Sequence, residues 1–311
     1  MRVATFNTEA SRKGPGLLLR DILKGDDPHI TGLIAEISRV DPDILVLQGI
    51  DYDIQNLALA ALADALAQAG SPYPYIFAAP PNAGRMTDLD LDGDGATGGP
   101  GDAQGYGRFF GQGHMALLSR YPILTDDIQD YSTLLWRDLP DALLPEQNGS
   151  GFPSEAALDI QRLSSKGHWV VPVMHPEMGR ITLLTYHATP PVFDGPEDRN
   201  GKRNHDETAF WAHYLNEQFG PPPQTRFFLL GDANLDPKRG DGIGRAMQNL
   251  LADPRLQDPL PEQPTVDWAQ TGPMRVDYLL PSIDWTVTDA AVEPRNPNLS
   301  RHALIWVDVM P

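Results

Sequence analysis

Short apolar runs, each closed by a polar side chain, recur from one end of this chain to the other. They include Arg2-Val-Ala-Thr-Phe-Asn7, Ile44-Leu-Val-Leu-Gln48, Met115-Ala-Leu-Leu-Ser119, Arg180-Ile-Thr-Leu-Leu-Thr-Tyr-His187 and Phe227-Phe-Leu-Leu-Gly-Asp232. Two more are Val276-Asp277-Tyr-Leu-Leu-Pro281 and the final His302-Ala-Leu-Ile-Trp-Val-Asp308. Runs of this length, bounded by turn residues, predict buried strands. Residues 73–77 read as a further short strand, and 169–174 with 180–186 as a hairpin. Between these runs the period changes to that of a helix. Leu33, Ile34 and Ile37 predict a helix over 30–40, and the Ala/Leu-rich stretch 54–69 predicts another, stopped by Gly70 and Pro72. Phe210, Tyr214 and Phe219, with Trp211 beside them, predict a third over 206–219. The Pro/Gly-interrupted stretch 126–165 reads as substrate-facing loops.

The polar ends of the strands carry the candidate chemistry. Gly231-Asp232-Ala233-Asn234 presents a carboxylate and a carboxamide just past an apolar run, able to hold a hard cation, polarise a water or orient a neighbour. Asn7, His187, Asp277 and His302 lie at the ends of other strands, spread over the whole length. Any one of these is commonplace; the ordered set is not.

That ordered set, Phe6-Asn7, Leu47-Gln48, Met115–Ser119, His187, Gly231-Asp232-Ala-Asn234, Val276-Asp277-Tyr278 and Ser300-Arg-His302, resembles the endonuclease/exonuclease/phosphatase superfamily from about residue 2 to 308. The resemblance implies an α/β fold: a four-layered sandwich of two mixed sheets flanked by helices, formed by residues 1–311 as one domain with a Gly/Asp-rich insertion at about 82–112. It also implies metal-assisted phosphoester hydrolysis with Mg²⁺ or Mn²⁺. On this resemblance Asn7 is a metal-side residue, His302 the general base and Asp232 its partner in activating water. Asn234 and His187 stabilise the phosphorane, and Asp277 holds His187 in position.

Two positions depart from the family pattern. Gly49 stands where the metal-ligating Glu is expected, and Arg301 replaces the Asp before His302. Asp51, Asp53 or Glu9 could supply the missing carboxylate, and Arg301 could meet a substrate phosphate directly. The plainer role for Asp51 and Asp53 is in a turn that favours the positive end of a following helix.

Charge narrows the substrate. With 24 basic against 42 acidic residues and a net charge of −18, the chain has no basic stripe for a polynucleotide. A compact phosphoester is therefore expected over long nucleic acid, with Lys166, Arg199, Arg203 and Arg301 as candidate phosphate contacts and His168 nearby. A Ca-binding pseudo-enzyme and a nuclease are the alternatives. The insertion carries Asp88, Asp90, Asp92 and Asp94 around Gly93, a spacing that predicts a structural Ca²⁺ loop, with Asp102 able to complete the shell. Similar DxDxDG loops occur in exported bacterial proteins, so a periplasmic or extracellular setting is expected. Cysteine is absent, which excludes disulfides. No apolar run is long enough to span a bilayer, and a monomer is expected.

Overall fold

The computed structural model describes residues 1–311. In the first half the elements are β1 (Arg2–Asn7), α1 (Leu17–Lys24), α2 (Pro28–Val40), β2 (Ile44–Ile50), α3 (Leu57–Gln68), β3 (Tyr75–Phe77), β4 (His114–Ser119), β5 (Gln129–Asp130), β6 (Glu146–Gln147), β7 (Ser150–Gly151) and α4 (Glu155–Ile160). Then come β8 (His168–His175), β9 (Gly179–His187), α5 (Arg199–Leu215), β10 (Phe227–Asp232), α6 (Arg245–Leu251), β11 (Val266–Trp268), β12 (Gly272–Met274), β13 (Asp277–Pro281), β14 (Thr286–Val292) and β15 (Ile305–Met310).

Two mixed sheets dominate, with strand orders β14-β15-β1-β2-β4-β3 and β13-β10-β9-β8-β5. Their central strands read as unbroken apolar runs because both faces are covered. Along β1, Ala4 and Phe6 pack beneath α1, α2 and α3, while Val3 faces the second sheet. Along β10, Phe228 and Leu230 fill the space between the sheets, and Leu229 packs outward against Phe210, Trp211 and Leu250 of the α5 and α6 layer. The result is helix, sheet, sheet, helix: the four-layered sandwich expected above. No helix is long and apolar enough to cross a membrane.

Two expectations are corrected. The third helix begins at Arg199, not at 206. Its first two turns hide no apolar stripe because they bury polar groups, Arg203, Asn204 and Glu207, which find partners inside the protein. The stretch 126–165 is also more than loops facing a substrate. Trp136, Leu139 and Leu163 sink into the core on the outer face of the second sheet, and Trp136 donates its indole N–H to Asp206 at 2.7 Å.

The parallel pairs position the chemistry. β1 runs beside β2 with Asn7 opposite Gln48, and β9 beside β10 with His187 opposite Asp232. Parallel strands finish at the same sheet edge, so the polar residues closing them arrive together.

Candidate active site

Asp232 is the centre. Gly231 lets β10 close on β9, since a Cβ there would lie 2.1 Å from the Tyr186 carbonyl oxygen. The turn that follows is held by Asn234, whose backbone N–H donates to Asp232 Oδ1 at 2.8 Å and whose left-handed φ of 48° an asparagine tolerates. Asp232 Oδ2 accepts from Asn7 Nδ2 at 2.8 Å and from Asn234 Nδ2 at 3.3 Å, and His187 Nε2 lies 3.4 Å away. Asp277 pairs with Asp232 across the antiparallel β10–β13 register. All of these side chains are buried, from 0% exposure at Asp232 to 8% at Asn234.

His302 enters from the segment before β15. Ser300 fixes that segment, donating its hydroxyl to the Asn7 carbonyl at 2.7 Å and accepting the His302 backbone N–H at 3.0 Å. Asp277 sits against His302 Nδ1 at 2.9 and 3.1 Å. This corrects the sequence expectation that Asp277 holds His187. Although Arg301 replaces the neighbouring Asp, His302 has a carboxylate partner, supplied by a strand 25 residues earlier. With Nδ1 so engaged, Nε2 is the nitrogen turned to the site, 3.5 Å from Asn7 Nδ2. Trp268 stands edge-on, its ring centre 6.1 Å from that of His302.

The electrostatics separate the titrating groups. Burial, reinforced by the Asp277 charge, pushes the Asp232 carboxyl up to about 7. Burial would lower His302, but the Asp277 and Asp232 carboxylates outweigh it and push it up to about 9. His187 goes the other way: burial, with Lys166 and His302 adding to it, holds it well below the usual range, so it stays a neutral imidazole. Its Nδ1 is buried without a partner. Burial also brings Lys166 down to about 8. That lysine extends past the Tyr106 carbonyl at 3.4 Å and is the one sequence-nominated cation left near His187.

The other nominated phosphate contacts are placed elsewhere. Arg203 is 2% exposed and spends its guanidinium on the carbonyls of Leu163 (2.9 Å), Arg162 (2.7 Å), Ser164 and Gln104. Arg199 is buried in the same helix, and its charge faces Asp92 and Asp194. His168 is sealed in the core, with Nε2 2.8 Å from the Glu207 carbonyl. The helix starts early and turns Arg199 and Arg203 inward, while His168 is buried at the start of β8 beneath that helix. Arg301 is 65% exposed but bound to Glu9, with Nε donating at 2.7 Å, a second guanidinium nitrogen on the same oxygen, and its backbone N–H donating to Oε2 at 2.8 Å.

A divalent ion has two sets of donors to consider. Asp232, Asp277 and His302 have ligand atoms within 4.8 Å of one another. Those atoms already bind each other, with the imidazole set between the carboxylates. Asp51, nominated as a ligand, instead accepts the backbone N–H groups of Arg12 (2.8 Å) and Gly113 (2.9 Å), while Asp53 caps α3 through Leu57 and Ala58. What remains beside the site is Asn7 Oδ1, which accepts the Glu9 backbone N–H at 3.2 Å, and the Glu9 carboxylate, which Arg301 holds. Hard oxygen donors with one carboxylate suit Mg²⁺, which keeps several waters. The donors therefore fit a thinly held ion. Sequence reasoning named Glu9 only as one substitute among three; its signal was an acid two residues past a strand-ending Asn.

Gly49, where Glu is expected, stands at a point that leaves no room for a side chain. It lies at a bulge in the β2–β4 pairing with φ +72°, and a Cβ would stand 2.5 Å from Asn7 Oδ1 and 2.8 Å from the Glu9 nitrogen. Gly49→Ala should lower stability by about 1–3 kcal/mol. It should also displace Asn7, to be read as a lower melting temperature together with weaker turnover.

In the insertion, the clustered carboxylates are Asp90, Asp92 and Asp102. Asp88 and Asp94 lie outside that cluster, which corrects the alternate-residue expectation. A short turn, Pro100–Asp102, folds the chain back so that Asp102 takes the third place and accepts the Leu91 N–H at 3.0 Å.

Comparison with known proteins identifies the family and the fold. Residues 4–302 match the sequence profile of the Endonuclease/Exonuclease/phosphatase family. Among solved structures, an endonuclease/exonuclease/phosphatase from Beutenbergia cavernae is 17% identical, with a TM-score of 0.63 covering 99% of this chain and 71% of that one. Sphingomyelinase C from Streptomyces griseocarneus is 17% identical with a TM-score of 0.52, covering 99% and 98%. A magnesium-bound variant of Staphylococcus aureus beta toxin is 15% identical with a TM-score of 0.52, covering 98% of each. No curated protein matches the sequence significantly. At these identities the structures establish a shared fold, and the profile match over nearly the whole length establishes kinship: the chain belongs to the endonuclease/exonuclease/phosphatase family.

Proposed function

We propose that this protein is a metal-dependent hydrolase of a compact phosphoester. The observation that carries the reading is the convergence of Asn7, His187, Asn234 and the His302–Asp277 pair on one buried carboxylate, Asp232. The family acts on phosphoesters, often with divalent metals.

Protonation decides the roles. Between the two titrations, Asp232 is ionised and His302 is an imidazolium. Asp232 then accepts the proton of the attacking water, and His302 Nε2–H donates to the phosphoryl or leaving oxygen. This exchanges the assignment that the resemblance gives to these two residues. Neutral His187, 3.4 Å from Asp232 Oδ2, and the Lys166 ammonium near it meet the remaining phosphoryl charge. Asn7 holds Asp232 in line. A bound divalent ion would add neutralisation of the developing negative charge.

Size follows from charge. With Arg199 and Arg203 buried and the net charge at −18, the basic tract that the sequence offers to a polynucleotide is withdrawn from the surface. A small phosphomonoester or diester fits this surface better.

The test is hydrolysis of bis(4-nitrophenyl) phosphate and 4-nitrophenyl phosphate by chelator-stripped protein resupplied with Mg²⁺ or Mn²⁺. Turnover that returns with metal supports the reading. Silence with both esters and both ions, from a folded chain, sinks it and leaves a binding protein of the same fold. The same stripped protein resupplied with Ca²⁺ tests the loop. We propose that Asp90, Asp92 and Asp102 take a structural Ca²⁺, so melting should shift upward, and Asp92→Asn should cancel the shift.

A further inference from the structure

The Glu9 carboxylate, named above as a donor for the ion, is paired with Arg301, and nothing above gives that arginine a role. We propose that Glu9 is the carboxylate that receives the divalent cation here and that Arg301 competes with the ion for it. This rests on the metal-dependent reading above and adds how metal entry is controlled.

Three observations carry it. First, the position offers no alternative carboxylate. Gly49 has no room for a side chain, Asp51 is spent on two backbone N–H groups, and Asp232 and Asp277 enclose His302. Second, Glu9 is fixed next to an oxygen of the right kind. Its backbone, at φ 47°, donates its N–H to Asn7 Oδ1 at 3.2 Å, so carboxylate and carboxamide leave the chain at one corner. Third, the guanidinium on Oε1 is a group that can leave, with the Arg301 backbone N–H staying on Oε2. Glu9 is 25% exposed in its side chain and Arg301 65%, and a guanidinium released from the carboxylate swings into water without burying an unpaired charge. With its arginine open to water, such a pair holds only weakly. A divalent ion with oxygen ligands can displace it, whereas it could not displace the buried imidazole between Asp232 and Asp277.

Arg301 is on this view a positioning residue that keeps Glu9 ionised and aimed while no ion is present. Once displaced, its donors are free at the rim where a phosphate would arrive, so metal entry and anion capture are linked.

Mn²⁺ binding, followed by loss of the free-ion EPR signal, tests this on the full chain carrying Asp90→Asn and Asp92→Asn, which silence the acidic loop. In that background Arg301→Ala and Arg301→Gln should each tighten Mn²⁺ about fivefold. Glu9→Gln should weaken it by roughly tenfold or more, since it removes the one carboxylate of the proposed donor set. Adding Arg301→Ala to Glu9→Gln should then change nothing, because the guanidinium has no carboxylate left to guard. An unchanged affinity in both Arg301 variants overturns the proposal. So does Mn²⁺ binding that survives Glu9→Gln, a gain from Arg301→Ala that persists without Glu9, or no binding in any variant. The hydrolysis reading stands apart: the predicted order of Mn²⁺ affinities with no turnover would remove the activity and keep the competition, and turnover with no such order would do the reverse.

Discussion

Turnover should fall about a thousandfold when His302 becomes Gln, with the fold intact, since a proton donor and a charge on the reacting phosphoryl are lost together. Glutamine is the informative replacement. Alanine would remove the N–H donor and the volume as well as the charge, leaving Asp232 and Asp277 buried with no partner between them, and breaking a buried ionic cluster in this way costs about 3–5 kcal/mol, whereas the glutamine amide still donates. A silent Ala variant could then be read as misfolding. The companion variant is Asp277→Asn, which keeps the shape and removes the charge. His302 should lose much of its elevation above the usual imidazole range, so its titration should move down from about 9. The amide can also donate to Nδ1, which holds the ring as the neutral Nε2–H tautomer and removes the imidazolium charge.

The pH profile follows from the same pair. Activity needs Asp232 without its proton and His302 with one, so it should rise through about 7 and fall through about 9. Asp277→Asn should pull the alkaline limb downward. Stability has its own sign: His302 is raised in the folded state, so its contribution is full below about 6.5 and is lost as pH rises through about 9. A profile that rises steadily beyond pH 9 would return His302 to the role of general base. An NMR titration of the His302 ring protons separates the two cases.

Arg203→Ala should be the most damaging substitution away from the reacting groups. The guanidinium ties the carbonyls of Leu163, Arg162, Ser164 and Gln104 beneath α5, and desolvation holds its pKa down, at about 10. Removing it strands buried acceptors at about 1–3 kcal/mol each when left unsatisfied. It also leaves the buried Glu207 without the nearby positive charge that favours its ionised form. The expected loss is about 4 kcal/mol in chemical denaturation. Arg203→Lys should recover little, because one ammonium cannot span four carbonyls. At a temperature where the variant stays folded, KM should be near that of the parent. A large rise in KM with unchanged stability would restore Arg203 as a phosphate contact.

The contrast between these two sites shows what was readable along the chain. The strand runs, the helix over Pro28–Val40, the hairpin of β8 and β9, and the polar strand ends at Asn7, His187, Asp232 and His302 all follow from local pattern. Two layers cover each central sheet, and that demand writes itself into the sequence as unbroken apolar runs. The family resemblance rests on the same residues, because parallel strands deliver their last side chains to one edge whatever lies between them.

Partnership was decided only by the tertiary structure. Asp277 faces His302 and not His187 because β13 pairs with β10 in a register that sets Asp277 opposite Asp232, while Thr265 and Ser300 hold the neighbouring segments. No spacing along the chain encodes that register. The basic tract at Arg199–Arg203 looks like a phosphate clamp in sequence. It is a buried scaffold in space, since an internal carbonyl satisfies a guanidinium as a phosphate does, and local composition cannot tell them apart. Gly49 and Arg301 read as two separate losses in sequence. Folded, they adjoin Glu9 from two sides: one leaves no room for a side chain, and the other occupies the carboxylate that remains. Apolar periodicity records burial, which is a property of each residue, whereas hydrogen-bond partnership belongs to pairs that meet only after the chain has closed.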